Sequence, residues 1–141
     1  MIYLLDTDIF SLAHRGKHDL PARIAAARAS HNVVLSIVTR IEVLRGRLDA
    51  VTKAADGGGL LRAQDLLRES EAFLSGFRIL LFDAATVETF ERLRDDKRVK
   101  KCGRNDLLNA CIALANNATL VTRNTKDYAN VPGLKLENWA D

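Results

Sequence analysis

Apolar positions fall in short runs separated by longer stretches of helical spacing. "IYLL" (2–5), "VVLSI" (33–37), "RILLF" (78–82) and "TLVTR" (119–123) are four or five residues long and rich in aliphatic side chains, and each reads as a strand. "GLKLENW" near the end adds a short edge strand. "DLPARIAAARAS" (19–30) reads as a helix, with Asp19 as N-cap and Pro21 in the first turn. "TRIEVLRGRLDAVTKAA" and "LLRAQDLLRESEAFL" also have helical spacing. The "GGG" between them (57–59) predicts a turn, making 38–76 a helical hairpin. Asp83 predicts the cap of "AATVETFERLRDDKRV", and "DLLNACIALANN" (106–117) carries an apolar stripe through Leu107, Leu108, Cys111, Ile112, Leu114 and Ala115.

Short apolar strands alternating with helices predict an α/β fold: a mostly parallel sheet of four to five strands covered on both faces. With 141 residues the chain makes one domain, 1–141. Ligands of such folds gather at the carboxyl ends of the strands, so polar residues at those ends are the candidates for chemistry.

Four acids qualify. Asp6 follows the first strand in "DTD", Glu42 lies in the first turn of the helix after the second, Asp106 opens the helix before the fourth, and Asp127 follows the fourth in "TRNTKDY". Each has a structural alternative. Asp6 or Asp8 can cap the next helix, Thr39-x-x-Glu42 matches a capping box, Asp106 suits a helix N-terminus, and Asp127 suits a loop. Gathered at one sheet edge, the acids would repel one another unless a cation intervened. Oxygen-only ligands favour a hard ion, Mg²⁺ or Mn²⁺, able to assist phosphodiester hydrolysis. His14 and His18 are four apart but lack a third ligand, and 57–59 lacks the Lys-Ser/Thr of a phosphate loop.

Lys and Arg total 21 against 18 acids, a net charge of +3. "RLRDDKRVKKCGR" (92–104) concentrates seven of the basic residues. It reads either as a solvated face or as a phosphate-facing patch, with Arg98, Lys100, Lys101 and Arg104 as its candidate contacts. The two cysteines, Cys102 and Cys111, match no zinc spacing and build no disulfide framework. No apolar run approaches the roughly 18 residues of a membrane span, and "MIYLL" lacks the features of a signal peptide. A cytoplasmic location is expected.

"LLDTDIFS", "LSIVTRIEVLRGR", "GRNDLLNACIALANNATLVTRNTKDY" and "GLKLENW" resemble, in order and spacing, a PIN-domain ribonuclease of the VapC toxin type. The resemblance spans essentially the whole chain. It implies a PIN-like α/β/α sandwich and a Mg²⁺- or Mn²⁺-dependent endoribonuclease. It also implies restraint by a VapB-like antitoxin, and assembly as a homodimer or toxin–antitoxin hetero-oligomer. Motif by motif, it places the catalytic acids on Asp6, Glu42, Asp106 and Asp127, with Asp6 and Asp106 as metal ligands and Thr7, Thr122 and Asn124 in support. Asn109 departs from the pattern, standing where the family usually has an apolar residue; it faces either the site or the helix flank. Two other classes compete. A haloacid-dehalogenase-type phosphatase also starts with strand-Asp-x-Asp, but Phe10 and the missing downstream lysine and acid-pair motif depart from it. A non-catalytic RNA-binding domain gains nothing from acids near phosphate without a metal.

Overall fold

The computed structural model describes residues 1–141. Five strands form one sheet: β1 (Ile2–Leu5), β2 (Asn32–Ser36), β3 (Arg78–Leu80), β4 (Thr119–Val121) and β5 (Lys135–Glu137). Their order is β3-β2-β1-β4-β5 and every pairing is parallel. A parallel sheet needs a long crossover between neighbours. Helices α1 (Thr7–His14) and α2 (Leu20–Arg28) make the first crossover, and α3 (Ile37–Lys53) with α4 (Gly57–Ser75) the second. Helices α5 (Ala84–Leu93) and α6 (Arg104–Ala115) lead into β4, and the single turn α7 (Thr125–Tyr128) precedes β5.

Successive strand residues face opposite sides of a sheet, and β1 shows it. Leu4 packs with Val34, Leu120, Leu93, Leu107 and Ile112 on the side covered by α5 and α6. Leu5 packs with Leu35, Val121, Phe10, Leu20 and Leu74 on the side of α1, α2 and the α3–α4 hairpin. The expected sandwich therefore forms around β1, and the chain leaves β1 on one side to reach β2 and on the other to meet β4. That reversal of strand order opens a crevice at the carboxyl ends of β1 and β4.

The predicted third strand, 78–82, stops at Leu80; Leu81 and Phe82 turn out to the surface at 60% and 44% exposure. The predicted glycine turn at 57–59 is instead the first turn of α4. Asp56 caps it by accepting the Gly59 N–H at 2.7 Å, which offsets the poor helix propensity of glycine. The bend falls on 54–56. Asp83 caps α5 as expected, accepting the Thr86 N–H at 2.9 Å, whereas Asp19 adopts φ 54° and makes no side-chain capping bond. At the far edge Trp139 is buried against Tyr3, and its Nε1–H donates to the Glu137 carboxylate at 3.0 Å.

Because an added Cβ at Gly57 meets nothing within 4 Å, Gly57→Ala should raise stability by roughly 0.4–1 kcal/mol. Asp56→Ala should lower it by about 1 kcal/mol through loss of the cap. Urea unfolding of the two variants should shift in opposite directions.

Candidate active site at the carboxyl edge of the sheet

β1 ends on Leu5, which is fully buried, and delivers Asp6 to the crevice. The Asp6 N–H donates to the Val121 carbonyl at 3.0 Å, so the β1–β4 ladder runs one rung past the strand. Its carboxylate accepts the Ile9 N–H at 2.9 Å, so Asp6 itself caps α1. Asp8, the other candidate for the cap, lies exposed in the first turn and lines the crevice. The cap must precede the first helical residue, and α1 begins at Thr7. Burial pushes the Asp6 pKa up to about 6. Hydrogen bonds from the Thr122 side chain and the Ile9 N–H oppose this rise, and the nearby charges of Asp8 and Asp106 add to it.

The capping box expected at Thr39-x-x-Glu42 does not form. α3 starts earlier, with Ser36 as its cap accepting the Thr39 N–H at 3.2 Å. Glu42 therefore sits in the second turn rather than the first, and accepts the Thr7 hydroxyl at 2.7 Å. Thr7 and Thr39 hydroxyls lie 2.9 Å apart. A hydroxyl has one proton; since Thr7 gives its own to Glu42, Thr39 donates to Thr7. This relay fixes Glu42 relative to β1.

Asp106, in the first turn of α6, is half-buried and lines the same crevice, which measures about 340 Å³. Its walls are Asp6, Thr7, Asp8, Ser11, Glu42, Asp106, Asn109 and Asn124, with no apolar and no basic side chain. The Thr122 hydroxyl is fully buried and accepts the Asn124 N–H at 3.0 Å. Asp127, expected among the acids, is exposed and does not line the crevice. Asn124 immediately precedes α7 and lines the crevice, and Tyr128 at the end of α7 is buried, while Asp127 between them is exposed. Its backbone carbonyl accepts the Cys102 thiol at 3.2 Å.

The candidate basic contacts divide. Arg98 is committed to Asp96 at 2.7 Å, and the Arg104 guanidinium stacks 4.8 Å from the Phe90 ring. Lys100 and Lys101 are exposed just before α6. Sequence reasoning gave Thr39 only a capping role and did not single out Ser11, although Ser11 lies one helical turn from Thr7.

The PIN domain family matches residues 3–134. The chain belongs to the PIN-domain family. Over 99% of its length this PIN domain is 33% identical to ribonuclease VapC2 of Rickettsia felis, of which 98% is covered. Ribonuclease VapC1 of Haemophilus influenzae is 28% identical over 99% of this chain and 98% of that one. Among solved structures, VapBC2 of Rickettsia felis bound to a promoter DNA fragment superposes with TM-score 0.80 at 31% identity, covering 99% of both chains. VapBC-1 of nontypeable Haemophilus influenzae has the same fold, with TM-score 0.80 at 24% identity over the whole of both chains.

The donor set fits a hard divalent ion held by few protein ligands. No three His, Cys, Asp or Glu side chains of this PIN domain converge on one point. Asp6 feels the charge of Asp106 as well as that of Asp8, and Mg²⁺ commonly takes one or two carboxylates and completes its shell with water. Tyr128 supports this fit: its hydroxyl is buried without a well-formed hydrogen bond. Its pKa is raised by burial and then by the Asp106 carboxylate beside it. A hydroxyl in that place can orient Asp106 as a ligand.

Asp6 binds a proton more tightly in the folded chain than in the unfolded one, so its contribution to stability falls as pH rises from about 4 through about 6. Asp6→Asn keeps a capping oxygen and removes the charge. Relative to the native chain it should gain stability between pH 4 and pH 7, on the order of 2–3 kcal/mol. Mg²⁺ should raise the melting temperature of the native chain and leave that of Asp6→Asn unmoved, as differential scanning calorimetry would show.

Proposed function

We propose that this PIN domain is a Mg²⁺- or Mn²⁺-dependent endoribonuclease acting in the cytoplasm as the toxin of a toxin–antitoxin pair. The observation that carries the reading is the crevice where the strand order reverses, walled by four carboxylates and no basic or apolar group. It lies in a chain alike over its full length to proteins named ribonuclease VapC. Asp6 and Asp106 would hold the ion, which when bound supplies charge neutralisation and an activated water for phosphodiester hydrolysis. Glu42, locked by the Thr7 hydroxyl, is placed to hold or accept a proton at its carboxylate. Asn124 offers an amide to substrate, and Asp127 acts from outside the crevice. Lys100 and Lys101, with Arg104, lie before Asp106 where flanking phosphates of an RNA would pass.

Restraint by a partner follows from the same charge. An antitoxin arginine entering the crevice would pair with two carboxylates through its planar fork and take the place of the ion. Exposed Ile41, Leu48, Leu60 and Leu61 on the α3–α4 hairpin offer apolar surface for that partner. Leu81, Phe82 and Val87 offer another for assembly with a second copy. The phosphatase alternative loses its footing in a PIN domain whose crevice holds no lysine.

Purified protein should cut RNA with Mg²⁺ or Mn²⁺ and stop when the ion is chelated. Asp106→Asn should fold, as judged by circular dichroism, and lose cleavage. Expression alone should arrest growth, and co-expression of the adjacent small antitoxin should relieve it. Undiminished cleavage in chelator would defeat the metal reading. Normal growth with abundant soluble protein would defeat the toxin reading alone.

A further inference from the structure

Asn109 lies one helical turn beyond Asp106 on α6, lines the acidic crevice and is only 2% exposed. A buried amide is costly unless its oxygen and its two N–H groups find partners. The oxygen has one. Ser36, fully buried, accepts the Thr39 N–H on its Oγ and donates its hydroxyl proton to Asn109 Oδ1 at 2.5 Å. The Ser36 oxygen already accepts the Thr39 N–H and has one proton to give, so the amide oxygen faces it. The Nδ2 group, on the opposite side of the planar amide, makes no hydrogen bond within the chain and is left toward the crevice.

The crevice is short of such groups. A phosphodiester brings negative charge on its non-bridging oxygens, and the carboxylates here repel it. No Lys, Arg or His lines the crevice, and the Thr7 hydroxyl is spent on Glu42. Apart from an ion, the donors that remain are the Ser11 hydroxyl and the amides of Asn109 and Asn124. Of these, Asn109 is the one buried and fixed in orientation by a second side chain. A donor already held in place needs no reorganisation as charge develops, and so is well placed to stabilise it.

We propose that Asn109 is a catalytic residue whose Nδ2–H donates to a non-bridging oxygen of the scissile phosphate. The role rests on the ribonuclease reading above. It belongs to this chain's own surface, because the VapC-type pattern has an apolar residue at this position. The competing role is mechanical: the Ser36–Asn109 bond joins α6 to the start of α3, and so ties the helix of Asp106 to that of Glu42.

A cleavage site is first mapped by sequencing the ends of cut cellular RNA, and a short oligoribonucleotide spanning it is synthesised. Two more carry sulfur in place of one or the other non-bridging oxygen at that bond. Native chain and Asn109→Leu are compared in single turnover, with Mn²⁺ throughout so that metal–sulfur mismatch is small. A sulfur accepts hydrogen bonds poorly, so one diastereomer should be slowed about tenfold for the native chain. That selective slowing should vanish in Asn109→Leu, while cleavage of the all-oxygen substrate drops at least about tenfold at saturating substrate. The oxygen-to-sulfur ratio does not depend on how much of a variant is folded, so partial misfolding does not blur it. Asn109→Asp, which retains an acceptor for Ser36 and loses the donor, should likewise lose the selective slowing. If both variants keep the native ratio, the donor role is overturned even where overall activity has fallen, and Asn109 is a strut. If the native chain cuts no RNA at all, the ribonuclease reading fails instead.

Discussion

The hydrogen bond from the Asp6 N–H to the Val121 carbonyl is the contact on which the rest of the site depends. It carries the ladder between two buried strands one residue beyond them, and so fixes a carboxylate where the core ends and the crevice begins. Neither neighbour can shift without breaking sheet hydrogen bonds that have no water to replace them. The same residue starts α1 by capping it. The direction in which α1 leaves the sheet, and hence the positions of Thr7, Asp8 and Ser11, follows from a group that also belongs to the crevice.

That economy has an electrostatic side. A carboxylate so buried and so near other acids is raised to a pKa of about 6, and the fold tolerates it by surrounding the acids with hydroxyls rather than with cations. Thr39 gives to Thr7, Thr7 gives to Glu42, and the Thr122 side chain supports Asp6. Hydroxyls orient carboxylates without neutralising them. A lysine in the same place would have satisfied the charge and competed with any metal ion.

Most of this was legible in the sequence where one local rule governed. The four apolar runs became strands because each is too short and too aliphatic for anything but the interior of a parallel sheet. Asp6 and Glu42 could be placed together because residues at parallel strand ends share an edge, and Asp106 joined them through the resemblance. The failures came where two rules competed. Gly57, Gly58 and Gly59 read as a turn by propensity, but the Asp56 cap recruited them into α4. Thr39 and Glu42 had the spacing of a capping box, but Ser36 began the helix three residues earlier. Asp127 had the right order and spacing, yet in a helix of one turn Tyr128 took the buried position and Asn124, just before the helix, took the crevice. Asn109 was visible as a departure from pattern. Its partner Ser36, 73 residues away in the chain, was not, because only tertiary packing brings them together.

The edge of the sheet also sets an order of events during synthesis. Thr122, whose side chain supports Asp6, is itself held by its N–H to the Glu137 carbonyl at 2.9 Å, and Trp139 closes over Tyr3 of the first strand. The strand carrying the principal acid is thus made before the strand that completes its surroundings. A nascent chain on the ribosome can fold α1, α2 and the hairpin long before β5 exists, but it cannot assemble the finished crevice. Until β5 has been made and has left the ribosome, the surroundings of Asp6 are unfinished.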